Sequence, residues 1–414
     1  MLGLEYLSTL PINHRDTSLD HQSAPIIPLM ASSSQSPARD QRLDFWRGLC
    51  LVDMLLVHLY YQNVQFGDFL GKLLGEYTRF AAGGFIFVSG LSIGVIFLPR
   101  ALDENRRAKT YKSLLRRSFY ILAVNYLSAM VLVLMAILVP QNGSDAAYMV
   151  RGSFIHPLVL LRNIFLLKEG GDLLPFYVMM IAISPLLLAG VRRRLGWLYI
   201  LIASVALFVW GLWHPWVLAL AQHDKFPPVL WQTIFVAGFL LGYAWPKYNA
   251  LTNKSKLVIA AVSWVFVSAL FVMEYSYQWG MPQLSFNVSF MKVPLSTAEG
   301  FRYLCIIIAI ITTTDLLWPM ISDTSASAFV QTLGRKSLPV YVLHLWVVQI
   351  LGALALAWPW MGAWQILFAG FSLLILWLFA LILDISKSPR QNRSSLASMV
   401  QRVFRCDPVT GPAR

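Results

Sequence analysis

The stretch Arg42-Leu-Asp-Phe-Trp-Arg-Gly-Leu-Cys-Leu-Val-Asp-Met-Leu-Leu-Val-His58-Leu-Tyr-Tyr61 decides how the rest of the chain is read. It opens the first long apolar run, yet it carries Asp44, Arg47, Asp53 and His58. Ionisable side chains inside a bilayer are costly, so their presence there points to function. At about 100° and 1.5 Å per residue, the step from Arg47 to His58 is roughly three turns plus 20°. The two therefore share a helix face, about 16 Å apart along the axis. Asp44, three residues before Arg47, is within pairing reach of it, whereas Asp53 points away from His58. One face thus has a charged foot at a membrane surface and an imidazole near mid-membrane.

Composition sets the solvent in which that helix sits. Of 414 residues, 57% are hydrophobic and 13% charged, with a mean hydropathy of +0.61. A soluble domain carries about 25% charge, so this is an integral membrane protein and the lipid bilayer is its first partner. The net charge of +13 then bears on topology and not on nucleic acid. The three cysteines, Cys50, Cys305 and Cys406, are far apart and form no metal-ligand or redox motif.

Ten apolar runs approach the length needed to span: 44–63, 80–99, 118–139, 173–190, 196–213, 229–246, 257–274, 300–319, 337–356 and 362–384. The expected fold class is all-α, a polytopic membrane protein of about ten transmembrane helices. Basic residues cluster at every second connection: in 100–117, at Arg192-Arg193-Arg194, at Lys247, Lys254 and Lys256, at Arg335-Lys336, and in the C-terminal tail. The opposite loops are sparse in them, so the positive-inside rule places both termini in the cytoplasm. Residues 1–41, rich in Ser, Pro, Asp and Gln, read as a disordered cytoplasmic tail, and 386–414 as a basic one. Residues 42–385 form the membrane domain. No signal-peptide pattern opens the chain, and Met30 is an alternative start. Of the two longer external segments, 141–172 holds an apolar stretch, 154–167, suited to an interfacial or re-entrant helix. Trp213, Trp216, Trp245, Trp279, Trp358 and Trp360 fit an interfacial aromatic belt.

His58 is the leading candidate for chemistry, because a neutral imidazole can accept a proton at working pH. The bland alternative is a satisfied interhelical hydrogen-bond partner. His344 is a second embedded imidazole, in Leu333-Gly-Arg-Lys-Ser-Leu-Pro-Val-Tyr341-Val-Leu-His344. Arg79 starts the second span from outside, where it either binds an anionic group or snorkels, and the small residues Gly83, Gly84, Gly90 and Gly94 after it allow close helix approach. Asp172 is placed to cap the helix beginning Leu-Leu-Pro-Phe-Tyr177. Trp231 and Gln232 follow Pro227-Pro at an outer helix start, and Glu299 and Arg302 open the eighth run. Arg335 and Lys336 suit a topology anchor or a phosphate contact.

These phrases together resemble the membrane acyltransferase-3 superfamily, whose Arg-x10-His motif matches Arg47 and His58 in spacing. Phe85-Ile-Phe-Val-Ser-Gly90 is similar to its second-helix phrase. Asp172-x-x-Pro-Phe-Tyr-Val, Pro-x-x-Trp231-Gln-x-x-Phe-x-x-Gly-x-x-x-Gly and Leu-Gly-Arg-x-Ser-Leu-Pro-Val-Tyr341 look most like the OpgC branch. The resemblance spans roughly residues 40–385. It departs from that branch at Val57, where an Asp usually precedes the first-helix His, and at Phe80 and Gly83, where acids usually stand. Tyr341-x-x-His344 looks more like the general superfamily pattern, and Arg79-Phe-Ala-Ala-Gly-Gly-Phe resembles the heparan-glucosaminide N-acetyltransferase-like relatives. No carboxylate is therefore named as partner to His58.

The resemblance implies a multi-pass enzyme of the bacterial inner membrane that places an acyl group, succinyl or acetyl, on a hydroxyl of a periplasmic glycan. Acyl-CoA is then a co-substrate, with no permanently bound cofactor and no metal. Arg47 and the basic segment, through Arg106, Arg107, Arg116 and Arg117, with Arg335 beside them, would hold the CoA phosphates at the cytoplasmic face. His58 would be the general base or the transient acyl acceptor. Asp44, Arg79, Asp172, Trp231, Gln232, Arg302, Tyr341 and His344 are the remaining candidate substrate-binding residues. The rival class is a proton-coupled transporter or flippase for an anionic sugar or lipid, with Asp53, His58 and His344 as a relay. A third is a structural membrane partner without chemistry.

Overall fold

The computed structural model describes residues 40–61, 80–138, 173–215, 217, 226–275, 295–357 and 365–387. Both tails (to residue 39 and from residue 388), the stretch 154–167, Arg79 and Asp172 lie outside these residues. The described residues form helices and connecting turns, without a strand. In chain order the helices are α1 (Gln41–Tyr61), α2 (Ala81–Leu102), α3 (Glu104–Leu138), α4 (Leu173–Gly190), α5 (Gly196–Trp213), α6 (Pro228–Tyr243), α7 (Trp245–Asn249), α8 (Asn253–Tyr275), α9 (Thr297–Ile321), α10 (Ser325–Arg335), α11 (Ser337–Ala357) and α12 (Gln365–Lys387). Among the described residues six runs are long and apolar enough to cross a membrane: α2, α4, α5, α9 and most of α8 and α12. Helices α6 and α11 are apolar but shorter over their described side chains.

Local chemistry sets where the helices begin. Asp40 accepts a hydrogen bond from the Arg42 backbone N–H at 3.1 Å, satisfying an orphan donor of α1. Ser296 does the same for Glu299 at the head of α9, and Thr324 for Ser327 at the head of α10. Pro228 occupies the first turn of α6, where a missing N–H costs nothing.

Burial ranks the helices. In α2, 72% of the apolar window is buried, against 6% in α8. Helix α2 therefore runs through the middle, and α8 presents Leu257, Val258, Val262 and Val265 outward as a lipid-facing surface. The tightest crossing joins α2 to α6. A Cβ on Gly90 would lie 2.0 Å from the Phe235 carbonyl oxygen, and one on Gly238 2.0 Å from that of Phe87. Gly94 and Gly242 meet in the same seam, so two Gly-x-x-x-Gly faces pack backbone to backbone.

Two elements depart from the sequence reading. The basic segment 100–117, expected as a loop, is helical except at Asp103: it comprises the last turn of α2 and the charged first third of α3. Helix α10, which no apolar run announces, is amphipathic and lies along the first turns of α1. A Cβ on its Gly334 would strike the Asp44 carbonyl oxygen at 1.7 Å, so the two backbones touch at the foot of α1.

Candidate active site

Helix α1 is continuous from Gln41 to Tyr61, which sets Arg47 and His58 on one face, as their spacing requires. At its foot, Arg47 Nη1 meets Asp44 Oδ1 at 3.4 Å and Arg47 Nη2 donates to Ser92 Oγ of α2. Ser92 Oγ spends its own proton on the Val88 carbonyl at 2.6 Å, which leaves a lone pair turned toward the guanidinium. Five residues of wider helical turn, Ile93–Phe97, follow Ser92 directly. An apolar crevice lined by Trp46, Leu49, Cys50, Phe80, Gly84 and Val88 runs up the flank of α1, beside this face.

In the last turn of α1, His58 meets His344 of α11. Nδ1 of His58 and Nε2 of His344 are 3.3 Å apart. The ring planes differ by 20° and the centroids lie 5.3 Å apart, farther than a face-on stack. His344 is fully buried and its Nδ1 is hydrogen-bonded to the Tyr341 carbonyl one turn back. His58 is only half-buried. Behind the pair runs an aromatic line, His344 to Tyr341 at 4.9 Å, Tyr341 to Phe85 at 6.1 Å and Phe85 to Tyr177 at 5.7 Å, linking α11, α2 and α4. One imidazole is thus half-buried and the other fully buried beside it.

The basic candidates divide by where their partners lie. Arg106 pairs with Asp103 at 3.1 Å and Arg107 with Glu104 at 2.9 Å. Arg116 and Arg117 are exposed further along α3. Exposed pairs of this kind are worth little, so a phosphate can displace the carboxylates. Arg335 differs, since it and Lys336 converge on Asp384 of α12, at 3.1 and 2.8 Å. A neighbouring knot joins α1, α8 and α9: Arg42 pairs with Asp40 and Asp315, and Lys256 reaches Asp315 at 2.7 Å.

The residues expected around an acceptor mouth are packed instead. Trp231 has no exposed surface and lies between Phe226, at 4.8 Å, and Tyr303, at 5.4 Å. Gln232 accepts from Ser204 Oγ at 2.8 Å and donates to the Ser204 carbonyl at 2.9 Å, tying α6 to α5. Arg302 joins Glu299 at 2.6 Å and also Glu274, a pairing across α8 and α9. The structure therefore brings together Asp44 with Arg47, and His58 with His344 and Tyr341. It does not gather Trp231, Gln232 and Arg302 at an open surface.

Sequence reasoning did not single out Ser92, Ser204 or Glu274, nor the buried Asn125 and Ser128 of α3. The side-chain polar atoms of these last two have no hydrogen-bond partner among the described residues. They lie one helical turn apart on one face, a signal that a helical wheel of α3 would have shown.

No curated protein and no solved structure matches the chain. The family model of the OpgC protein matches residues 39–388, from the first turn of α1 to the end of α12. The chain belongs to the OpgC family.

Proposed function

We propose that the protein is an acyl-CoA-dependent O-acyltransferase of the bacterial inner membrane, with ten spans and both termini in the cytoplasm. It moves a succinyl or acetyl group from CoA on the cytoplasmic side to a hydroxyl of a periplasmic glycan. The observation that carries this reading is a half-buried imidazole, His58, on a helix whose foot holds Arg47, in a chain of the OpgC family. Exposed guanidinium groups on the first third of α3 supply charge-assisted contacts for the CoA phosphates. Arg47, fixed by Asp44 and Ser92, lies on the same helix as His58 and eleven residues before it.

The chemical step balances on one proton. The acceptor O–H gives its proton to a ring nitrogen of His58 as the oxygen attacks the thioester carbonyl carbon. The tetrahedral intermediate collapses with cleavage of the C–S bond, and the CoA sulfur takes the proton back from the imidazolium. The products are the glycan ester and free CoA thiol. Purified protein in lipid should release thiol from acyl-CoA only when the glycan is present, and His58→Ala should abolish the release. Equal thiol release with and without glycan would remove the acceptor from this account.

A second reading, proton-coupled transport, would use the embedded imidazoles His58 and His344 as proton carriers. It requires movement of an anionic sugar or lipid that is independent of acyl-CoA, measurable in proteoliposomes.

A further inference from the structure

We propose that His344 is the positioning residue of the site: it fixes His58 as the Nδ1–H tautomer, so that Nε2 is the nitrogen that takes the acceptor proton. The inference rests on the acyl-transfer reading and adds the atom and the residue that control it.

The argument begins at a carbonyl. The Tyr341 backbone oxygen can only accept, so the His344 Nδ1 bonded to it carries a hydrogen. His344 is fully buried, and no carboxylate pairs with it among the described residues. An uncompensated charge there would be costly, so the ring is neutral and has one N–H only. Its Nε2 is then bare and can only accept. The 3.3 Å contact is therefore a hydrogen bond donated by His58 Nδ1 to His344 Nε2. A neutral His58 with its hydrogen on Nδ1 has its lone pair on Nε2.

The same bond changes strength during the reaction. When Nε2 takes the acceptor proton, His58 becomes an imidazolium and its Nδ1–H bond to His344 becomes charge-assisted and stronger. His344 thereby does for His58 what a buried carboxylate does for the histidine of a catalytic triad, holding tautomer and orientation and stabilising the cation. The line of hydrogen bonds ends at the Tyr341 carbonyl, an oxygen that cannot hold a proton. The proton consequently stays on His58 and returns to the reaction, a geometry that disfavours a through-going relay.

Two measurements test this, both on the full chain in lipid. The first compares His344→Gln with His344→Leu. A Gln amide oxygen can stand near the Nε2 position and accept from His58 Nδ1–H, whereas Leu cannot. The expected kcat of His344→Gln is within about tenfold of wild type, and that of His344→Leu falls about 100-fold or more. KM for acyl-CoA and for glycan should stay within a fewfold in both. A His344→Leu protein with wild-type kcat, or a His344→Gln protein as slow as His344→Leu, overturns the proposal. The second needs no variant: nitrogen-15 NMR of wild-type protein should show His58 protonated at Nδ1 and bare at Nε2. The reverse tautomer overturns the proposal even if both variants fail to fold. If wild type shows the Nδ1–H tautomer but no acyl transfer, the enzymatic reading fails while the hydrogen-bond assignment survives.

Discussion

Arg47 is held from two directions at once, by a carboxylate three residues earlier on its own helix and by a hydroxyl on the next. A planar fork can serve both, whereas a single ammonium cannot reach both with the same geometry. Arg47→Lys should therefore insert normally but lower acyl transfer about tenfold, seen as a rise in KM for acyl-CoA with purified protein. Trp231 makes the opposite prediction. With no exposed surface and aromatic neighbours on two sides, its loss should leave a cavity and not an impaired sugar platform. Trp231→Ala should cost about 3–5 kcal/mol in stability, read as a lower Tm in detergent, with KM for the glycan unchanged in the folded fraction. The contrast shows what sequence could and could not reveal here. Asp44 and Arg47 pair through a three-residue step that any helical wheel displays. His58 and His344 are separated by most of the chain, and no local period announces their contact. Trp231 stood at an outer helix start, which reads as a mouth until Phe226 and Tyr303 are seen to cover it.

At the scale of elements, the α2–α6 seam has no room for side chains. Gly90→Val or Gly238→Val would drive a methyl into a carbonyl oxygen, and the helices must separate. Each variant should unfold at a lower temperature and lose activity together with structure, which a thermal melt paired with an activity assay would show. The Asp315 knot is a second joint. Asp315→Asn would leave Arg42 and Lys256 short of their shared counter-ion, at a cost of about 1–3 kcal/mol for a half-buried cluster. A drop in Tm without any change in KM is the expected signature. The Gly-x-x-x-Gly spacing made the first joint legible, since small residues at that interval let helices approach. The second was not, because Arg42, Lys256 and Asp315 sit at the ends of three helices distant in sequence. Helix α10 escaped notice for a related reason: at eleven residues it has an apolar face but no apolar run.

For the molecule as a whole, apolar run length carried most of the information about architecture. Among the described residues six helices are long and apolar enough to span, and α1, α3, α6 and α11 overlap the other four runs expected from sequence. Charge within α1, which carries Asp44, Arg47 and Asp53, is what separates it from an ordinary span by composition. Arg47, with His58 on the same face, is also what makes it the catalytic candidate. In the proposed topology the Arg192–Arg194 turn and both tails face the cytoplasm. A cysteine placed at Arg193 should therefore resist a membrane-impermeant thiol reagent in intact cells and react after the membrane is opened. Labelling in intact cells would invert the orientation and separate the basic surface of α3 from cytoplasmic CoA.

The central claim is that His58 transfers an acyl group to an envelope glycan, and mass spectrometry of that glycan tests it most directly. Cells carrying wild-type protein, His58→Ala, or neither would be compared, with the amount of inserted protein measured alongside. The account predicts an acyl mass increment with wild type alone, its size naming the acyl group. Identical glycan spectra from all three, with the protein inserted in equal amount, would contradict it.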